Sequence, residues 1–158
     1  MAQSSSNAAL PNGASSVTET FGDWTVTCRF VDKQKLCSLS QVQGLSQTGQ
    51  RAFAIELRAP RDGKTEGTII MPFGVSLESG AILKVDDKDI GKGFRFSTCV
   101  PQGCLLPVSF PTASTDAIRK GGKLVAATLN VSNGEAVTFN VSPNGFSSAL
   151  DRISQLAR

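Results

Sequence analysis

Phe21-Gly22-Asp23-Trp24-Thr25-Val26-Thr27-Cys28-Arg29-Phe30 is the stretch that decides the fold. From Trp24 onward the apolar residues fall on every second position. Trp24, Val26, Cys28 and Phe30 share one face, and Thr25, Thr27 and Arg29 take the other. Successive side chains of a strand point to opposite faces, so this pattern predicts a strand with one face in a core and one in water. The alternation recurs along the chain. Phe53, Ile55 and Leu57 are set against Glu56 and Arg58, Leu83 and Val85 flank Lys84, Phe94 and Phe96 flank Arg95, and Val137, Phe139 and Val141 alternate with Thr138 and Asn140. Further strands are predicted at residues 36–42, 68–71, 105–110 and 123–131, about nine or ten in all. Asp62-Gly63, Ser79-Gly80 and Asn133-Gly134 supply residues that tolerate positive φ in tight hairpins, and Asn133-Gly134 is the strongest such signal.

Two segments break the two-residue period. After Pro143-Asn144-Gly145, the residues Phe146, Ala149, Leu150, Ile153 and Leu156 recur at helical steps, with Ser147, Asp151, Arg152 and Gln155 opposite. This predicts an amphipathic C-terminal helix laid on the sheet. A shorter helix is predicted over residues 115–120, capped by Ser114, with Asp116 near its positive end, Arg119 and Lys120 near its negative end, and Gly121-Gly122 stopping it. The fold class is therefore all-β: an antiparallel β-sandwich or barrel-like fold with a C-terminal amphipathic helix and one short helix. Residues 21–158 are expected to form a single domain. Residues 1–20, small and polar with Glu19 as their one charge, are expected to be a mobile tail.

Composition narrows the function classes. The chain has 158 residues, 40% hydrophobic and 18% charged, a balance that fits one globular domain. A net charge of +3 is too mild to imply nucleic acid as a partner. There is no His, which removes every mechanism that needs an imidazole base, metal ligand or near-neutral switch. No apolar run reaches the roughly 20 residues that span a bilayer. The longest comparable stretch, residues 68–75, is interrupted by Pro72 and Gly74. The N-terminus has neither a charged n-region nor an apolar h-region. Met1-Ala2-Gln3 reads equally as an engineered start or as the remnant of a cleaved signal.

The four Cys form two local couples, Cys28 with Cys37 and Cys99 with Cys104. Pairing within each couple is the simplest of the three connectivities that four Cys allow. Structural disulfides at these four positions would place the chain in an oxidising compartment. On the chain-entropy account each such short loop is worth about 2 to 3 kcal/mol. Redox catalysis fits poorly, because Cys99 and Cys104 enclose four residues and lead into a strand rather than a helix N-terminus. A four-cysteine zinc site fits poorly too, since the gap between Cys28 and Cys37 is too wide for a knuckle.

Other constellations have plainer readings. Asp86-Asp87-Lys88-Asp89 is the one acidic cluster, but it lacks the order of a calcium loop and reads as a solvated hairpin. There is no Gly-x-Ser-x-Gly elbow and no Ser-x-x-Lys, and Gly91-x-Gly93 and Gly121-Gly122 read as turns. Carboxylate pairs for glycoside hydrolysis cannot be chosen without spatial distances. The sets Lys84, Lys88, Lys92, Arg95 and Arg119, Lys120, Lys123 read as charged strand edges that block aggregation. Nine Phe and one Trp fall largely on core positions, leaving few stacking platforms for sugars or bases. The expectation is no catalytic residues, no cofactor and no metal, with the partner-binding surface unknown.

Several motifs together resemble a known family. Phe21-Gly22-Asp23-Trp24-x-Val26-x-Cys28, Cys37, Pro72-x-Gly74-Val75, Gly80, Asp86, Cys99-Val100-Pro101-x-Gly103-Cys104 and Gly145-Phe146-x-x-Ala149 look like the invasion-associated locus B family of Gram-negative bacteria. The leader Leu10-Pro11-Asn12-Gly13-Ala14-Ser15-Ser16 is similar to that of host-associated members. The resemblance implies an exported protein whose signal peptide is removed, residing in the periplasm, at the outer membrane or outside the cell. It implies a role in host-cell invasion and virulence for some members, and no catalytic residues. Its Cys positions match Cys28, Cys37, Cys99 and Cys104. The expected function is thus a non-enzymatic envelope protein that binds a protein or envelope component, without spanning the membrane and without nucleic acid. The alternatives are an envelope enzyme or inhibitor using carboxylates or loops near residues 86–92, and a structural subunit of an envelope assembly. Oligomeric state and strand order stay open.

Overall fold

The computed structural model describes residues 9–44 and 53–158. After a short 3-10 turn (Pro11–Gly13), eleven strands and two α-helices follow one another in the described residues: β1 (Ser16–Phe21), β2 (Trp24–Val31), β3 (Gln34–Gln43), β4 (Phe53–Leu57), β5 (Lys64–Met71), β6 (Ala81–Val85), β7 (Lys88–Phe94), β8 (Thr98–Val100), β9 (Gly103–Pro111), α1 (Thr112–Arg119), β10 (Leu124–Leu129), β11 (Ala136–Val141) and α2 (Phe146–Leu156). They make two antiparallel sheets. The larger has the order β1-β2-β3-β4-β5-β9-β8 and the smaller β11-β10-β6-β7. Neither sheet closes into a barrel.

The alternation read from the sequence sorts the two faces of the large sheet. Trp24, Val26, Cys28, Leu39, Ile55, Leu57, Ile69, Met71, Leu106 and Phe110 are all buried on its inner face. The small sheet covers part of that face, with Phe139 of β11 stacked on Phe53 of β4 at a centroid distance of 4.8 Å. Helix α2 covers the β1–β3 part. Its apolar stripe, Phe146, Ala149, Leu150, Ile153 and Leu156, is buried throughout, as its spacing requires. Arg119 of α1 reaches Asp151 of α2 at 2.9 Å and ties the two helices together.

Four expectations need correction. Residues 9–20 are not a tail: Leu10 is buried in the core and Ser16 begins an edge strand whose inward residues, Val17 and Phe21, pack against that core. Small polar residues on its outward positions hid the strand. Residues 1–8 lie outside the described residues. Ser79-Gly80 does not turn a hairpin, because β5 and β6 belong to different sheets and the segment between them is a crossover. That crossover is pinned by an isolated bridge from Val75 to Asn130. Helix α1 starts at Thr112, after Pro111, so Ser114 lies inside the helix rather than capping it. Finally, Asn133-Gly134 does lie between paired strands, but the loop runs from Asn130 to Glu135 and closes with Asn130 N–H donating to the Glu135 carbonyl at 2.8 Å.

Candidate functional site

The two family-like motifs at opposite ends of the chain meet at one joint. Gly22 and Gly145 both have positive φ, of 57° and 87°. A Cβ on Gly145 would lie 1.9 Å from the Phe21 carbonyl oxygen, and one on Gly22 would lie 2.7 Å from that of Asn144. Only glycine allows the two backbones to approach this closely. Trp24 meets Phe146 edge to face at 5.1 Å and donates its indole N–H to the Ser142 carbonyl at 2.9 Å. The buried Gln41 side chain extends the joint: its amide donates to the Ser142 carbonyl at 3.0 Å, and its oxygen accepts the Ser142 N–H at 3.0 Å. Ser142 Oγ donates to Asp23 at 2.6 Å. No buried polar side-chain atom of the described residues is left without a partner, and these bonds tie the two ends of the described chain together.

The cysteines are equally structural. Cys28 is bonded to Cys37 across the β2–β3 hairpin, where the two residues face each other in register, and Cys99 to Cys104 across β8–β9. No cysteine is free. The acidic cluster disperses: Asp86 and Asp87 form the turn between β6 and β7, Asp86 accepts the Lys123 N–H at 3.1 Å, and Asp89 pairs with Lys84 at 3.7 Å. Among the described residues no three metal-ligating side chains converge. Lys88 and Lys92 lie exposed on the edge strand β7.

The outer face of the large sheet is different in kind. Two of its cross-strand rows are mainly hydroxylated: Thr20, Thr25, Ser40, Glu56 and Thr68 align across β1 to β5, with Thr18, Thr27 and Ser38 in the next row, while Val42, Ala54, Ile70 and Leu105 make an apolar row on the other side. Where these rows meet the ends of the β2–β3 and β4–β5 hairpins, a groove of about 480 Å³ opens. Its charged lining is Arg29, Lys35, Arg58, Arg61, Lys64, Glu56 and Glu66. Lys64 lies 3.9 Å from Glu66, Arg61 lies 3.8 Å from Asp62, and Lys35 donates to the Arg158 main-chain oxygen at 2.7 Å. Arg29 and Arg58 have no acidic partner among the described residues. Glu56 and Glu66 share the groove, but both are exposed to water in an open trough.

The sequence assigned Arg29 and Arg58 to outward positions one strand at a time. It did not bring them together, because that depends on β3 lying between β2 and β4.

Comparison with known proteins agrees along almost the whole chain. Residues 24–154 match the family model described as Invasion associated locus B (IalB) protein. An invasion protein B homologue of Brucella abortus (strain 2308) is 44% identical over 151 residues, covering 96% of this chain and 87% of that protein. Invasion protein B of Bartonella bacilliformis is 33% identical over 153 residues, covering 96% of this chain and 82% of that one. The crystal structure of invasion associated protein B from Bartonella henselae superposes with a TM-score of 0.79 at 29% identity, covering 89% of this chain and 96% of its own. In sequence and in fold, the chain belongs to the invasion-associated locus B family.

Proposed function

We propose that this chain is a non-enzymatic, exported envelope protein that acts by binding a protein or envelope component, with host-cell invasion as the process it serves. Residues 21–158 would work as a single domain, with β1 and Leu10 extending it toward the N-terminus. The observation that carries the reading is the division of the large sheet: one face is consumed by the core, and the other carries the charged groove and the hydroxylated rows outside that core. A stable scaffold that keeps such a face outside its core is suited to recognition. Family membership supplies the link to invasion. Two disulfides with no free thiol support an oxidising compartment, meaning the periplasm, the outer membrane or the exterior. Among the described residues no helix is long and apolar enough to cross a membrane.

The test has two parts. Fractionation of a producing bacterium should place the protein outside the cytoplasm with no reactive thiols. Fluorescently labelled protein should bind host cells saturably. A catalytic turnover that survives repurification, and disappears on a point change in the outer groove, would overturn the non-enzymatic reading.

A further inference from the structure

The positive charge of the chain is not evenly spread. Five of its sixteen Lys and Arg and two of its thirteen Asp and Glu line the outer groove. Together these seven described residues give the groove lining a net charge of +3. Arg29 and Arg58 carry the part of that charge that no carboxylate answers. A cationic groove focuses field lines and attracts anions. Guanidinium groups pair with sulfate and carboxylate oxygens through forked hydrogen bonds.

The remaining lining narrows the class of anion. Beside the charged groups the groove is lined by Thr27 and Ser38 together with Leu36, Cys37, Ala59 and Ala157, and Thr25, Ser40 and Thr68 lie in the adjoining row. These hydroxyls can donate to and accept from sugar hydroxyls. Among the described residues no aromatic side chain lines the groove, so they offer no platform for base stacking or for the stacking typical of neutral sugars. The charges sit in a trough, which a thin linear polymer enters and a flat bilayer does not. From this juxtaposition we infer that the outer groove binds a linear sulfated glycan, its sulfates on Arg29 and Arg58 and its hydroxyls on the Ser/Thr rows. Glu56 and Glu66 would set spacing by excluding sulfates placed beside them. The inference rests on the binding role proposed above and names its ligand.

The test uses a heparin-derived oligosaccharide and the full chain, titrated between about 50 and 200 mM salt. The double variant R29S/R58S is compared with K92S/R95S, which removes equal charge from the region of β7. Equal melting curves establish that both variants fold. The groove variant is expected to bind about tenfold more weakly, with a log–log salt slope smaller by about one for each cation removed. The control variant is expected to change affinity less than about threefold. Equal weakening in both variants, absence of binding by the unaltered chain, or binding to anionic phospholipid vesicles but not to the oligosaccharide would each overturn the inference. Cell binding separates the two readings. If labelled protein binds cells and survives both heparinase treatment and R29S/R58S, the glycan inference falls while the binding role stands. If it binds neither cells nor oligosaccharide, both fall.

Discussion

The inner and outer faces of the large sheet are built from the same strands with opposite chemistry. On the inner face each position is filled: Trp24, Cys28, Ile55, Ile69 and Leu106 have essentially no exposed surface. On the outer face their neighbours Thr25, Arg29, Glu56, Thr68 and Pro107 meet solvent or one another. The difference separates two jobs. The inner face and its joint with α2 determine whether the chain folds, while exposed outer-face residues such as Arg29 and Arg58 can vary with little effect on that.

This separation can be broken experimentally. The largest effect is expected at the joint. Trp24→Ala removes the ring that packs on Phe146 and its hydrogen bond to Ser142, and chemical denaturation should show a loss of about 3 to 5 kcal/mol. Next comes the inner-face disulfide. Replacing Cys28 and Cys37 together by Ala should lower stability by about 2 to 3 kcal/mol on the chain-entropy account, read as a fall in the denaturation midpoint. Gly145→Ala forces a Cβ toward the Phe21 carbonyl at a positive φ, and a loss of about 1 to 3 kcal/mol is expected by the same assay.

A smaller, pH-dependent effect belongs to the rim of the inner face. Glu19 of β1 accepts two hydrogen bonds from Arg152 of α2, at 2.7 and 3.0 Å. Those bonds hold the Glu19 carboxyl below its ordinary value of 4.5, against the opposing pull of partial burial. A carboxylate whose pKa is lowered by folding stabilises the protein fully above the unfolded value and loses that contribution as pH falls through the folded one. Melting temperature should therefore fall as pH drops below that ordinary value, and Glu19→Gln should flatten the dependence. High salt should shrink the difference, since both partners are partly exposed. The smallest effect is expected on the outer face, where R29S/R58S should change stability by less than about 0.5 kcal/mol. A larger loss there would show that the two faces are not independent.

How much of this was readable in advance depended on range. Two-residue alternation identified Trp24 and Phe53 as inward, and helical spacing identified all five buried residues of α2, because burial imprints its period on neighbouring residues. The crossover at Ser79-Gly80 was misread because turn chemistry is local and does not say which sheet the next strand joins. Leu10 was missed for a related reason. A single apolar residue among small polar ones carries no period, yet it reaches the core. The groove lay beyond sequence reasoning altogether, since Arg29 and Arg58 come to line one groove only through the strand order.

The joint between Trp24 and the segment leading into α2 has one more consequence, for the order of events in folding. Its hydrogen bonds connect residues 118 apart for Trp24 with Ser142, 101 for Gln41 with Ser142 and 133 for Glu19 with Arg152. Contacts of such range close only after large loop entropies have been overcome, which slows folding relative to proteins of local contacts. During synthesis, β1 to β3 emerge long before the helix that covers them. The inner face of the first three strands therefore stays uncovered until α2 has been made, and α2 seals it.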